Sequence, residues 1–76
     1  PEKKAAAREL RRRIVDFIQS YSATRRYPPT YDEIAEGVGV PSKSAIRRQL
    51  AQLEKEGYIS RVSMAPRTIV VLKAMA

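Results

Sequence analysis

Apolar residues recur along the first third of the chain with a helical period. Leu10, Ile14, Phe17, Ile18 and Tyr21 fall at spacings of three and four. At roughly 100° per residue they share one stripe, with Lys4, Arg8, Arg11 and Arg12 gathered on the far side. Glu9 with Arg13 and Arg12 with Asp16 stand four residues apart with opposite charge, pairs worth a few tenths of a kcal/mol each. The pattern predicts a helix from about Arg8, and residues 1–7 read as a frayed lead-in. Arg25-Arg26-Tyr27-Pro28-Pro29 cannot continue it, because the prolines lack amide donors and push preceding residues towards extended backbone.

Thr30-Tyr31-Asp32-Glu33 then has the spacing of a capping box, with the Thr30 hydroxyl set to accept from the Glu33 amide and the Glu33 carboxylate from the Thr30 amide. A short second helix follows, with Ile34, Ala35 and Val38 apolar and Gly37 and Gly39 expected to end it. Val40-Pro41-Ser42 reads as a turn, with Ser42 or Ser44 as the cap of a third helix. There Ile46, Leu50 and Leu53 make a narrow buried stripe, and Gly57 fits a left-handed terminus. Tyr58–Val62 and Thr68–Leu72 are β-branched or aromatic runs joined by Ser63-Met64-Ala65-Pro66-Arg67, which predicts a hairpin. Residues 73–76 read as a tail or the start of a linker.

Composition narrows what these elements can do. With 76 residues there is room for a single domain, residues 1–76, and one core. Hydrophobic residues make up 43% of the chain, enough for a globular core. Cysteine and histidine are both absent, which removes disulfides, thiol chemistry, the usual zinc ligands and histidine as a general base. No metal, cofactor, small-molecule substrate or enzymatic activity is expected. The lack of cysteine is compatible with a reducing interior such as a cytoplasm, no apolar run approaches the ~20 residues of a membrane span, and no signal-peptide pattern opens the chain. Fifteen basic residues against eight acidic give a formal charge of +7, which favours a polyanionic partner.

A long helix, a proline turn, a short capped helix, a glycine turn, a third helix and a hairpin form the winged helix-turn-helix arrangement. The expected fold is α+β and mainly α, with three helices and a C-terminal two-stranded hairpin as the wing. The third helix must bury one stripe and present the other to the major groove of DNA. Opposite Ile46, Leu50 and Leu53 lie Ser44, Arg48, Ala51 and Lys55, flanked by Ala45, Arg47 and Gln52. The small residues let the backbone approach base edges, and Arg47 and Arg48 are long enough to donate to guanine O6 and N7. Residues 41–52 carry basic side chains and no acidic one, whereas Asp32, Glu33 and Glu36 put negative charge on the second helix. Arg67 at the wing tip is a candidate for a phosphate or the minor groove, or a residue that keeps an exposed turn soluble. Arg25, Arg26 and Thr30 stand at the entrance to the second helix, whose amides can bind phosphate. Tyr31 can reach a phosphate or lie on the surface, and Tyr21 and Tyr27 are assigned to packing.

Tyr27-Pro28-Pro29-Thr30-Tyr31-Asp32-Glu33-Ile34-Ala35 resembles the N-terminal DNA-binding domain of the bacterial LexA repressors. The likeness continues through Gly39-Val40, Ser42-Lys43-Ser44-Ala45, Leu50 to Ile59 and Pro66-Arg67-Thr68-Ile69-Val70-Val71, so it spans roughly residues 8–72. The resemblance implies a repressor that binds double-stranded DNA at a palindromic operator as a homodimer, in a bacterial cytoplasm at the nucleoid. It assigns base reading to Ser42, Ser44, Ala45, Arg47 and Arg48. The residues themselves, apart from the resemblance, offer Arg25, Arg26, Thr30, Tyr31, Lys43, Gln52, Lys55 and Arg67 as candidates for backbone or wing contacts. Arg47 and Arg48 depart from the acidic pair of some members, which implies a different operator. LexA repressors also carry a self-cleavage domain with an Ala-Gly site and a Ser–Lys dyad, and nothing in these residues corresponds to it. The chain then reads as an excised domain of a damage-response (SOS) repressor or as a stand-alone regulator. A plasmid or phage replication or partition protein, and a winged-helix protein-interaction module, are the alternative functions. The latter would want an aromatic or methionine anchor on the third helix's outer face.

Overall fold

The computed structural model describes residues 2–62 and 65–75, with side chains from Ala6 onward. Ser63 and Met64 of the hairpin loop, and the side chain of Lys4 on the basic edge, lie outside the described residues. The first helix, α1, runs Glu2–Arg25, so residues 2–7 are helical where a frayed lead-in was expected. It buries Ile14, Val15 and Ile18 completely, with Leu10, Phe17 and Tyr21 half-buried beside them. Val15 was not on the expected stripe. It is buried because other elements pack on two sides of α1, which widens its apolar face. The helix stops where Arg26 turns left-handed at φ 67°, its amide still donating to the Ser22 carbonyl at 2.8 Å. Pro28 and Pro29 follow, and Pro29 is buried.

The capping box forms as its spacing predicts, and α2 spans Tyr31–Val38. Gly39, at φ 74°, ends it in the left-handed conformation. Gly37 does something else. It is inside the helix, and a Cβ placed there would lie 2.1 Å from Cε1 of Phe17, so its bare backbone lets α1 and α2 approach. Arg13 of α1 reaches across to the Val38 carbonyl at 2.6 Å, satisfying an acceptor at the end of α2 rather than pairing with Glu9. Arg11, expected on the outer basic edge, also turns inward and donates to Gln49 at 3.1 Å.

The third helix, α3, spans Lys43–Lys55 and is capped by Ser42, whose hydroxyl accepts from the Ala45 amide at 3.2 Å. Gly57 follows at φ 82°, and Tyr58 donates to the Leu53 carbonyl at 2.9 Å. Strands β1 (Ile59–Ser60) and β2 (Val70–Val71) pair antiparallel, Ile59 opposite Val71 and Ser60 opposite Val70. They are shorter than the five-residue runs expected. Past Ser60, the Thr68 hydroxyl takes the place of a ladder partner: it accepts from the Val62 amide at 2.9 Å and lies 3.0 Å from the Ala65 carbonyl. Ile14, Val15 and Ile18, then Ile34, Ala35 and Val38, then Ile46, Leu50 and Leu53, close with Ile59 and Ile69 into one core. Truncating Leu50 to alanine would cost roughly 2–5 kcal/mol by emptying its centre. Met75 of the tail rests against this core, and Lys73 lies over the Tyr58 ring, 4.6 Å from its centroid.

Candidate nucleic-acid interface

The buried stripe of α3 decides what its other side presents. With Ile46, Leu50 and Leu53 fully enclosed, Ser44, Arg47, Arg48, Ala51 and Lys55 stand exposed on one convex surface. Ser42 and Lys43 are exposed at the helix start, while Ala45 and Gln52 are half-buried flanks. The Ser42 hydroxyl already accepts the Ala45 amide, which leaves it a proton to donate outward. Gln52 bonds Glu56 one turn later, on the side away from the helix start.

Four of the sequence candidates meet at one place in the fold. Thr30, Tyr31, Lys43 and Arg47 come together around a cleft of about 290 Å³, with Asp32 and the wing residues Ala65 and Pro66 completing its walls. Lys43 pairs with Asp32 at 3.4 Å, an exposed pair of small energetic weight. The Arg47 guanidinium lies 5.9 Å from the Tyr31 ring centroid, held at the mouth of the cleft by a cation–π contact. Arg61 approaches the same ring from the wing at 5.8 Å and donates to the Tyr31 hydroxyl at 2.8 Å. Its Nε meets Glu54 at 3.3 Å. Tyr31 therefore links α2, α3 and the wing. Arg61 and the wing residues were missed by sequence reasoning, because nothing local marks an arginine at a strand end as facing another element.

Arg67 stays exposed in the wing turn but is held by partners that the sequence did not indicate. Its backbone is left-handed at φ 57°, and its guanidinium reaches back to Glu33 and Pro28 while the side chain stays 39% exposed. Nη1 lies 2.9 Å from Oε1 of Glu33 and 3.0 Å from the Pro28 carbonyl, and Nη2 donates to Oε2 of Glu33 at 3.2 Å. Tyr21 donates to the same Oε2 at 2.8 Å, and Tyr27 packs its ring against the guanidinium at 4.8 Å. The Thr30 amide donates to Oε1 at 2.8 Å. That amide first, then Arg67 and Tyr21, holds the Glu33 carboxyl down from 4.5 to about 2. Tyr21 and Tyr27 are thus packing residues, their rings meeting edge-on at 5.9 Å. Arg25 lies over Tyr21 at 4.6 Å, and Arg26 lines a separate groove with Gln19, Tyr27 and Val70, so neither joins the cleft.

A capped helix pair joined by a glycine turn, an exposed basic face on its second helix and a hairpin beside that face define the winged helix-turn-helix class. The chain belongs to the LexA DNA binding domain family, which matches residues 6–68. It is a DNA-binding domain. It is similar to the LexA repressor of Geobacillus sp. (strain WCH70), 46% identical over 61 residues, which cover 80% of this chain and 30% of that protein. The LexA repressor of Clostridium novyi (strain NT) is 45% identical over 60 residues, 79% of this chain and 29% of its own length. That of Corynebacterium jeikeium (strain K411) is 42% identical over 69 residues, 91% and 26% of the two chains. The chain thus spans less than a third of the length of each of these relatives.

Proposed function

We propose that this domain binds an operator for a transcriptional repressor of LexA type, laying α3 in the major groove. The observation that carries this reading is the two-sidedness of α3. Its three large apolar residues are buried, and an unobstructed surface of small and basic side chains faces away from the core. Ser44 and Ala51 permit close approach, and Arg48 is the side chain best placed to donate to guanine O6 and N7. The cleft beside α3 suits a backbone phosphate: Lys43 and Arg47 supply charge, and the Thr30 and Tyr31 hydroxyls supply donors. The wing would then lie against the neighbouring backbone or minor groove. Membership of the family supports, as part of this reading, a palindromic site occupied by two copies and action in a bacterial cytoplasm.

Selection of preferred duplexes from a random pool tests this directly. A consensus containing guanine at a fixed position, repeated with dyad symmetry, is the expected result. Affinity for the selected duplex should fall about a thousandfold or more between 50 and 200 mM salt if about six phosphates are neutralised. Failure to enrich any sequence, or binding indifferent to salt, would overturn the reading.

A further inference from the structure

We propose that Arg67 is a positioning residue, which locks the wing against the helix pair through Glu33 before DNA arrives and does not itself touch DNA. This inference rests on the DNA-binding reading above. Its first support is convergence. A single carboxylate, that of Glu33, takes hydrogen bonds from Tyr21 of α1, from the amide that caps α2 and from Arg67 of the wing. Three elements therefore meet on two oxygen atoms.

The second support is the backbone of Arg67. A residue with a Cβ pays sterically for φ 57° and keeps it only where its surroundings over-determine it. Here they do: Nη1 and Nη2 are shared among Glu33, the Pro28 carbonyl and Tyr21, and the guanidinium face is covered by Tyr27. The side chain is still 39% exposed and its Nε takes no part in these bonds, so the anchor rests on the partners named and not on burial.

The third support is what stands next to it. Ala65 and Pro66, immediately before Arg67, are the wing's contribution to the cleft that Lys43 and Arg47 line from the other side. The anchor of Arg67 therefore sets the spacing between the wing and the recognition face. A wing held in place beforehand loses less freedom on binding.

The test uses Glu33→Gln and Arg67→Lys, singly and together, with Arg67→Ala as a further variant. Glutamine keeps the capping box, since its carbonyl can still accept the Thr30 amide, but removes the charge facing Arg67. Lysine keeps the charge but cannot reproduce the planar fork. In the free protein, amide exchange at Val62 and Leu72 should accelerate about tenfold in either single variant, while Ile14 and Ile18 stay protected. On the duplex selected by the parent chain, each single variant should bind about five- to tenfold more weakly and the double variant no more weakly than either. The salt slope of Arg67→Ala should match the parent's. The proposal is overturned if Glu33→Gln leaves wing exchange unchanged. It is also overturned if Arg67→Lys binds like the parent while Arg67→Ala lowers the slope by about one, the mark of a lost phosphate contact. Should the parent select no duplex, the DNA reading falls and exchange alone decides the lock.

Discussion

Arg47 and Arg48 are adjacent in sequence and exposed alike, yet their surroundings differ. Arg47 leans over Tyr31 at the cleft, whereas Arg48 has no aromatic or acidic partner among the described residues. Base reading is therefore expected to concentrate on Arg48. Arg48→Ala should cost roughly 1–3 kcal/mol on the selected duplex and relax preference at one base pair, with a much smaller loss on random duplex. Competition binding with both duplexes measures this, and equal losses would show that Arg48 reads no base. At this scale the capping box was legible in the sequence, because Thr30 and Glu33 act on amides three residues apart, while the structure chose Ser42 over Ser44 as the cap of α3. The anchoring of Arg67 was not legible. It depends on a left-handed non-glycine residue and on partners 34, 39 and 46 positions distant.

Helices carry their own signatures and strands borrow theirs, which accounts for how the elements compare with expectation. The apolar stripes of α2 and α3 were readable because a 3.6-residue period is local. The hairpin was foreseen, but its ladder is shorter, since a threonine hydroxyl takes over pairing that the β-branched runs suggested. Gly37 shows the limit most clearly. Read locally it is a helix terminator, whereas in the fold it is the notch that admits Phe17. Alanine there would gain about 1 kcal/mol of helix propensity, but overpacking against the ring should cost roughly 1–3 kcal/mol. Gly37→Ala is expected to lower the urea midpoint. A midpoint equal to the parent's would mean that the Phe17 ring swings aside without penalty.

For the molecule as a whole, the network at Glu33 ties acid stability to the wing. Its carboxyl titrates at about 2 in the folded chain, against 4.5 ordinarily, because the Thr30 amide, Arg67 and Tyr21 favour the charged form. A folded value below the unfolded one contributes stability that is fully present above about pH 4.5 and disappears as pH falls towards 2. Urea midpoints measured across that window should decline in the parent and decline less steeply in Glu33→Gln. Parallel profiles would remove Glu33 as a source of the acid response. Partial exposure of the carboxyl lets solvent and salt weaken the effect, so the difference should shrink at high ionic strength.

The order of elements, the capping box and the main buried stripe of each helix, Val15 of α1 apart, were settled by the sequence itself, because they depend on periods and contacts that close within a few residues. The basic face of α3 belongs with them: once Ile46, Leu50 and Leu53 are placed inward, helical geometry leaves Ser44, Arg48 and Ala51 no other side. Tertiary structure alone decided which cations are held by an acceptor on another element. Arg11, Arg13, Arg61 and Arg67 look like surface charge in the sequence, and each instead finds an acceptor on another element. A long flexible arginine takes whatever acceptor the fold brings within reach, and that supply is fixed only when distant segments pack together.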